Sequence, residues 1–229
     1  MGKNSEKRIC FVITSVIQPC DALLMNSKNR TIYSVEERIQ QTKKTINSIK
    51  RFCPNAKILL CEAGEKNFES VFGNLVDYYC YLGNQERVKK AVSSKFKGWG
   101  ECQMLLESIK LVPECDFIFK ISGRYYLTDD FDLSSFDFFA FNFLNYLKNG
   151  GFAKGTKYVK GSHSTRLYGF STRYKARYKV ALFFSKFELR LGYSIESVLP
   201  KYLKGCNFLY HNKIGVAGNI GVNREYIEE

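Results

Sequence analysis

The chain has 229 residues, 45% of them hydrophobic, 25% charged and only 4 proline. That balance supports a packed core and excludes a disordered, collagen-like or low-complexity protein. Thirty-five Lys and Arg against 22 Asp and Glu leave a net charge of +13, which suits an anionic partner (nucleic acid, an acidic membrane surface or a phosphorylated substrate) without choosing among them.

At roughly 100 to 200 residues per domain, one domain over 1–229 is expected. The opening MGKNSEKRICFVITSVI has too short an apolar run to span a bilayer and no small-residue cleavage pattern. Glu6 stands where an N-myristoylation signal wants Ser or Thr. A soluble, unprocessed, cytoplasmic protein is expected. The eight cysteines include no C-x-x-C pair, and several lie in apolar runs such as RICFV and YYCYL, the pattern of buried thiols in a reducing compartment.

In chain order, RICFVITSV (8–16) is a β-branched apolar run, the pattern of a strand buried on both faces of a parallel sheet. After a loop, SVEERIQQTKKTINSIKRF spaces Val35, Ile39, Ile46, Ile49 and Phe52 by threes and fours. Ser34 and Glu37 form a capping box, and Pro54 follows the helix end. AKILLCE (56–62) is a second strand, so the first unit is a right-handed parallel crossover. A helix near 67–76, a strand at 77–82, a helix carrying Trp99, Met104, Leu105 and Ile109, and a strand at 116–122 continue the alternation. The chain then reads as strands at 135–143 and 165–171, a basic helix near 172–190, a short helix SIESVLPKYL capped by Ser194, a strand CNFLY and a glycine-containing tail. The alternation defines an α/β fold: a Rossmann-like domain with a mostly parallel central sheet flanked by helices.

Ligands of open α/β sheets bind at the carboxyl ends of the strands, which directs attention to Thr14–Gln18, Glu62–Gly64 and Ser122–Tyr126. G-x-G-x-x-G is absent from the first turn, no Walker loop occurs, and neither H-E-x-x-H nor G-x-S-x-G is present. Dinucleotide oxidoreductases, P-loop ATPases, zinc hydrolases and triad hydrolases are thereby disfavoured.

The order strand, variable loop, helix with E-R-x-x-Q-T, strand, then FIFKISGRYYLTDDFDL and a short acidic helix before the tail resembles the GT-A type of nucleotide-sugar glycosyltransferases. More narrowly, it is similar to small enzymes that decorate bacterial or viral polysaccharides. The resemblance covers about 8–222. It implies a nucleotide-binding half (about 8–125), an acceptor half (about 126–229), a nucleotide-diphosphate sugar as donor and a glycan as acceptor. GT-A enzymes usually end the mid-chain strand with Asp-x-Asp, whose carboxylates hold Mn²⁺ or Mg²⁺ against the diphosphate. Here Lys120, Ser122, Gly123 and Arg124 stand instead, which suggests that a guanidinium replaces the metal. Asp130-Phe131-Asp132 is the alternative metal-binding reading.

The resemblance further implies that Thr14, Ser15, Arg38 and Glu62 contact the nucleotide. Glu196, in the first turn of the SIESVLPKYL helix, is the expected general base of an inverting transfer. The stretch from Lys148 to Arg166, rich in Gly and Lys, reads as a lid over the diphosphate, with His163 and Arg166 as candidate contacts. Tyr168, Arg173, Arg177 and Lys179 are candidates for facing an acceptor glycan or an acidic membrane leaflet. The competing classes are a basic nucleic-acid-binding module and a nucleotidyltransferase. The first lacks any RNP, KH or zinc-finger signature, so no nucleic acid is expected; the second needs a carboxylate pair and a divalent metal.

Overall fold

The computed structural model describes residues 7–25, 27, 29–145 and 163–229. Its centre is strand β1 (Ile9–Ser15), all seven residues of which are buried. β1 pairs in parallel with β2 (Lys57–Glu62) on one side and β4 (Phe117–Ser122) on the other. β3 (Tyr78–Tyr81) extends the parallel set beyond β2. Beyond β4 come β7 (His163–Ser171), antiparallel to it, then β6 (Phe141–Asn145), antiparallel to β7, and β8 (Phe208–His211), parallel to β6. The order is β3-β2-β1-β4-β7-β6-β8. Only β7 runs against the rest, so the expected mostly parallel sheet is present, and both halves of the chain share it.

Because side chains alternate across a strand, β1 feeds two cores. Ile9, Phe11 and Ile13 join Phe117, Phe119 and Ile121 under helix α1 (Val35–Phe52). The rings of Phe11 and Phe119 stack at 4.6 Å. Cys10 and Val12 face the other way with Ile118, toward helices α3 (Glu86–Val92), α4 (Lys97–Leu111), α5 (Lys175–Leu189) and α6 (Ile195–Tyr202). Lys120 and Ser122 share that second face by the same alternation, which determines what they can reach.

The expected capping box at α1 is present: Glu37 N–H donates to Ser34 Oγ at 3.1 Å and Ser34 N–H to Glu37 Oε2 at 2.7 Å. Other boundaries differ from expectation. The helix near 67–76 is one turn, α2 (Glu69–Phe72), followed by a 3₁₀ turn. The strand expected over 135–143 starts only at Phe141, because Asn142 and Asp137 divert the backbone. Asn142 Oδ1 accepts from Asp137 N–H at 2.9 Å, and Asp137 Oδ1 accepts from Phe139 N–H at 2.7 Å. Ser194 precedes α6 but does not cap it; its hydroxyl pairs with Ser197 Oγ at 3.0 Å instead.

A second, three-stranded antiparallel sheet was not foreseen. It joins β5 (Tyr125–Leu127), β9 (Val216–Asn219) and β10 (Tyr226–Glu228) in the order β10-β9-β5. A row of hydroxyls on α1 binds the segment entering it. Thr42 Oγ1 donates to the Gly123 carbonyl at 3.0 Å and Thr45 Oγ1 to the Tyr125 carbonyl at 2.6 Å, while Leu127 N–H donates to Ser48 Oγ at 3.0 Å. No helix of the described residues is long and apolar enough to cross a membrane. All eight cysteines are free thiols, five of them buried.

Candidate functional site

An open cleft of about 750 Å³, counting the solvent at its mouth, lies over the carboxyl ends of β1 and β4. Thr14 and Ser15 from β1, Ser122 and Arg124 from the β4–β5 turn, Arg38 from the first turns of α1, and Lys97 and Glu101 from the start of α4 line it. Val16, Leu24, Val92 and Met104 give it an apolar wall. Arg30 holds the loop after β1 in place as one side of the cleft. Its guanidinium donates to the Ala22 carbonyl at 2.5 Å, to the Val92 carbonyl at 2.6 Å and to the Ser94 carbonyl.

Arg124 reaches the cleft because the chain turns sharply behind it. Gly123 N–H donates to the Thr14 carbonyl and Arg124 N–H to the Ser122 carbonyl, at 2.9 and 2.8 Å. Gly123 sits where a Cβ would meet Thr42 Oγ1 at 3.1 Å and Ser15 Cβ at 3.4 Å. The Arg124 guanidinium is half-buried, lies 5.4 Å from the Tyr125 ring centre and packs on Gly221. Among the described residues no carboxylate pairs with it. Arg38 is 6% exposed; its guanidinium donates to the Val16 carbonyl at 2.9 Å and leaves Nε unpartnered.

The cations here repel one another. Burial, then the charge of Arg124, pushes the Arg38 guanidinium down to about 9. Arg124 repulsion first, and lost hydration second, lowers the Lys97 ammonium. Burial acts to raise the Tyr125 hydroxyl, but Arg124, Arg166 and Lys97 outweigh it and the group is lowered. A site that disfavours its own positive charges is relieved by a bound anion. The N-terminus of the 15-residue α4, from which Lys97 and Glu101 project, adds a partial positive charge of the same sense.

The other expected contacts are distributed differently. Lys120 does not face the cleft as a free cation. It is 1% exposed and its three donors go to Glu101 Oε1, Ser122 Oγ at 2.9 Å and the Thr165 carbonyl at 2.6 Å. Burial works to raise the Glu101 carboxyl, but Lys120, Lys97 and Arg124 hold it below its ordinary value. Glu62 is fully buried behind the loop after β1, where Oε1 accepts from Ile17 N–H at 2.9 Å and Gly64 N–H at 2.7 Å. Burial raises its carboxyl against those hydrogen bonds and the charge of Arg38; it shapes the loop and does not line the cleft.

Glu196 is half-buried beside this cluster, close enough that its charge acts on Lys97. Its Oε1 accepts from Thr165 Oγ1 at 3.2 Å, and Thr165 in turn receives Lys120. Arg166 points into the ion pair with Glu229 and lies 5.7 Å from the Tyr125 ring. His163 packs among Phe143, Phe208 and Tyr210 and lines no part of the cleft. The rest of the expected lid, 148–162, lies outside the described residues. Tyr168 cannot face an acceptor or a membrane: it is fully buried, its hydroxyl 2.5 Å from that of Tyr178.

The Asp-x-Asp alternative does not fit a metal at the cleft. Asp130 pairs with Lys213 at 2.6 Å, and Asp132 caps a 3₁₀ turn by accepting from Ser134 N–H at 2.9 Å. Phe131 between them is core. The adjoining Asp129 is tied to Arg51 at 2.7 Å, thirteen residues along α1 from Arg38, or about 20 Å at 1.5 Å per residue. Among the described residues no group of three or more His, Cys, Asp or Glu is arranged to hold a metal ion.

Lys97, Glu101, Arg30 and Thr165 were not singled out in the sequence, where a Lys and a Glu near a helix start read as solvated charge. No family model matches the chain, and no curated protein is detectably similar to it. The fold and the cleft carry the functional argument.

Proposed function

We propose that the chain is a GT-A-type glycosyltransferase that moves a sugar from a nucleotide-diphosphate sugar to a glycan acceptor, with inversion and without a metal ion. The observation that carries this reading is Arg124: a half-buried guanidinium at the carboxyl end of β4, with no carboxylate partner among the described residues, set in a cleft with Arg38 and Lys97. Three cations around an open cleft match a diphosphate, and Arg offers the bidentate fork that phosphate oxygens accept. Thr14 and Ser15 supply hydroxyls at the place where an α/β sheet receives its ligand.

Transfer needs the acceptor hydroxyl to attack the anomeric carbon as the bond to the diphosphate oxygen breaks. The electron pair leaves on the diphosphate, and Arg124, Arg38 and Lys97 offset the charge that develops there. The hydroxyl proton passes to Glu196, which Thr165 holds in orientation. Glu101 is occupied by Lys120 and is the poorer base. Nucleotidyl transfer is less well supported, since the Asp130 and Asp132 pair lies at the far end of α1.

The test is release of nucleoside diphosphate from UDP-, GDP- and dTDP-sugars, with and without glycan acceptors, in EDTA. The expected result is release from one nucleotide class that survives EDTA and falls about a hundredfold or more in Glu196→Gln. Release from none of them, or only with added Mn²⁺, contradicts the reading.

A further inference from the structure

Helix α5 is apolar on two opposite sides. Tyr178, Ala181, Leu182, Ser185 and Leu189 are buried against the sheet and α4. Val180, Phe183, Phe184 and Phe187, continued by Leu191 just past the helix, recur at the spacing of the same helical period but face outward, each 46 to 67% exposed. A water-facing helix side normally carries polar residues, and three neighbouring exposed phenylalanines are not the scattered apolar residues of an ordinary surface. Phe183 meets Phe184 at 5.5 Å and Phe187 at 5.8 Å, so the rings form one patch.

A basic groove between α3, α4 and α5 borders the patch. It is lined by Arg87, Lys90, Lys110, Lys179, Lys186 and Arg190, with Glu107 as the sole carboxylate in its lining. Glu107 is taken by Lys110, and the other five cations have no carboxylate partner among the described residues. Lys186 Nζ lies 4.0 Å from the Phe183 ring centre and the Arg190 guanidinium 4.2 Å from that of Trp99, which joins the charged and aromatic surfaces.

We infer that the outer face of α5 and this groove together dock the protein on an anionic phospholipid surface, the phenylalanines entering the acyl boundary and the groove receiving headgroup phosphates. A soluble polyanion would use the groove and leave the rings in water. A second copy of the chain would cover the rings but bring two basic grooves together. A bilayer with anionic headgroups satisfies both features at once. The docking is independent of the proposed transferase activity, although α4 lines both sites, with Lys97 and Glu101 toward the cleft and Gln103, Glu107 and Lys110 toward the groove.

The test is co-sedimentation of the full chain with vesicles of phosphatidylcholine alone and with about a third phosphatidylglycerol, at low salt and at about 0.5 M salt. Binding is expected only to the anionic vesicles, weakened by salt, and reduced about tenfold in both F183S/F184S/F187S and K186E/R190E. All the substituted side chains are at the surface, so the variants are checked by an unchanged melting temperature; as a second measurement, the indole emission of the F187W variant should shift to the blue on anionic vesicles alone. The inference is overturned if the native chain stays in the supernatant, if the triple serine variant binds like the native chain, if the F187W variant shows no emission shift, if inorganic polyphosphate binds equally tightly and independently of the phenylalanines, or if the patch instead drives a dimer that the serines abolish.

Discussion

Lys120 and Glu101 form an ion pair at the floor of the cleft in which the lysine side chain is 1% exposed and the glutamate 20%. Placing a lysine among the Phe and Ile of a buried strand is costly unless every donor is met, and Ser122 and Thr165 meet the remaining two. The pair therefore belongs to the architecture that holds the β4 end, α4 and β7 together under Arg124.

Removing one partner should cost more than removing both. Lys120→Met leaves Glu101 and the Thr165 carbonyl without their donor and is expected to lower the unfolding free energy by about 3 kcal/mol. The K120M/E101L variant should recover most of that loss. Urea denaturation measures both; a single variant as stable as the native chain would remove the structural role assigned to the pair.

Glu62 gives a pH dependence of defined sign. Burial raises its carboxyl above the ordinary value of 4.5, so the folded chain holds this proton at pH values where the unfolded chain has released it. Relative to Glu62→Gln, whose amide oxygen can still accept from Ile17 and Gly64, the native chain should lose stability as pH rises from 4.5 through the raised value and then level off. Glu62→Leu leaves both N–H groups unmet and should cost about 1 to 3 kcal/mol for each. Unfolding titrations of the three chains across this range decide it; a native chain that gains stability relative to Glu62→Gln as pH rises would have the wrong sign.

Two glycines separate folding from ligand binding. At Gly215, φ is +72° and a Cβ would fall 2.2 Å from the backbone nitrogen of Phe131. Neither side can yield, and Gly215→Ala should destabilise by about 3 kcal/mol or more. At Gly221 a Cβ would instead meet Arg124 Nη1 at 2.2 Å, the far end of a flexible side chain.

Gly221→Ala should therefore leave stability within about 0.5 kcal/mol while pushing the guanidinium out of position. Nucleotide affinity is expected to drop with the melting temperature of the free protein unchanged. A variant that binds as well as the native chain would show that the position of Arg124 on Gly221 does not matter.

The elements legible in the sequence are those whose signal is local. Ile9 to Ile13 are apolar at every position because both faces of β1 are buried in a core, and α1 announces itself by Ser34, Glu37 and its periodic isoleucines. What escaped depends on partners distant in sequence. β5, β9 and β10 have three or four residues each, too few to show a period, and they exist because hydroxyls of α1 and the carbonyls of one another receive them. α3 follows Gln85, whose side chain makes no capping hydrogen bond, and offers no start signal. In the cleft, Thr14, Ser15, Ser122 and Arg124 could be found from the rule about strand ends, and Arg38 from the family resemblance. The burial of Lys120 and the arrival of Lys97 and Glu101 could not, since each is decided by where α4 crosses the sheet.

The most direct test of the account is a thermal-shift comparison of the native chain and Arg124→Ala with UDP, GDP and dTDP in EDTA. One nucleotide at 100 times its dissociation constant should stabilise the native chain by about 2.7 kcal/mol and the variant far less. Absence of a shift with every nucleotide, or an equal shift in Arg124→Ala, would contradict the assignment of this cleft as a diphosphate site.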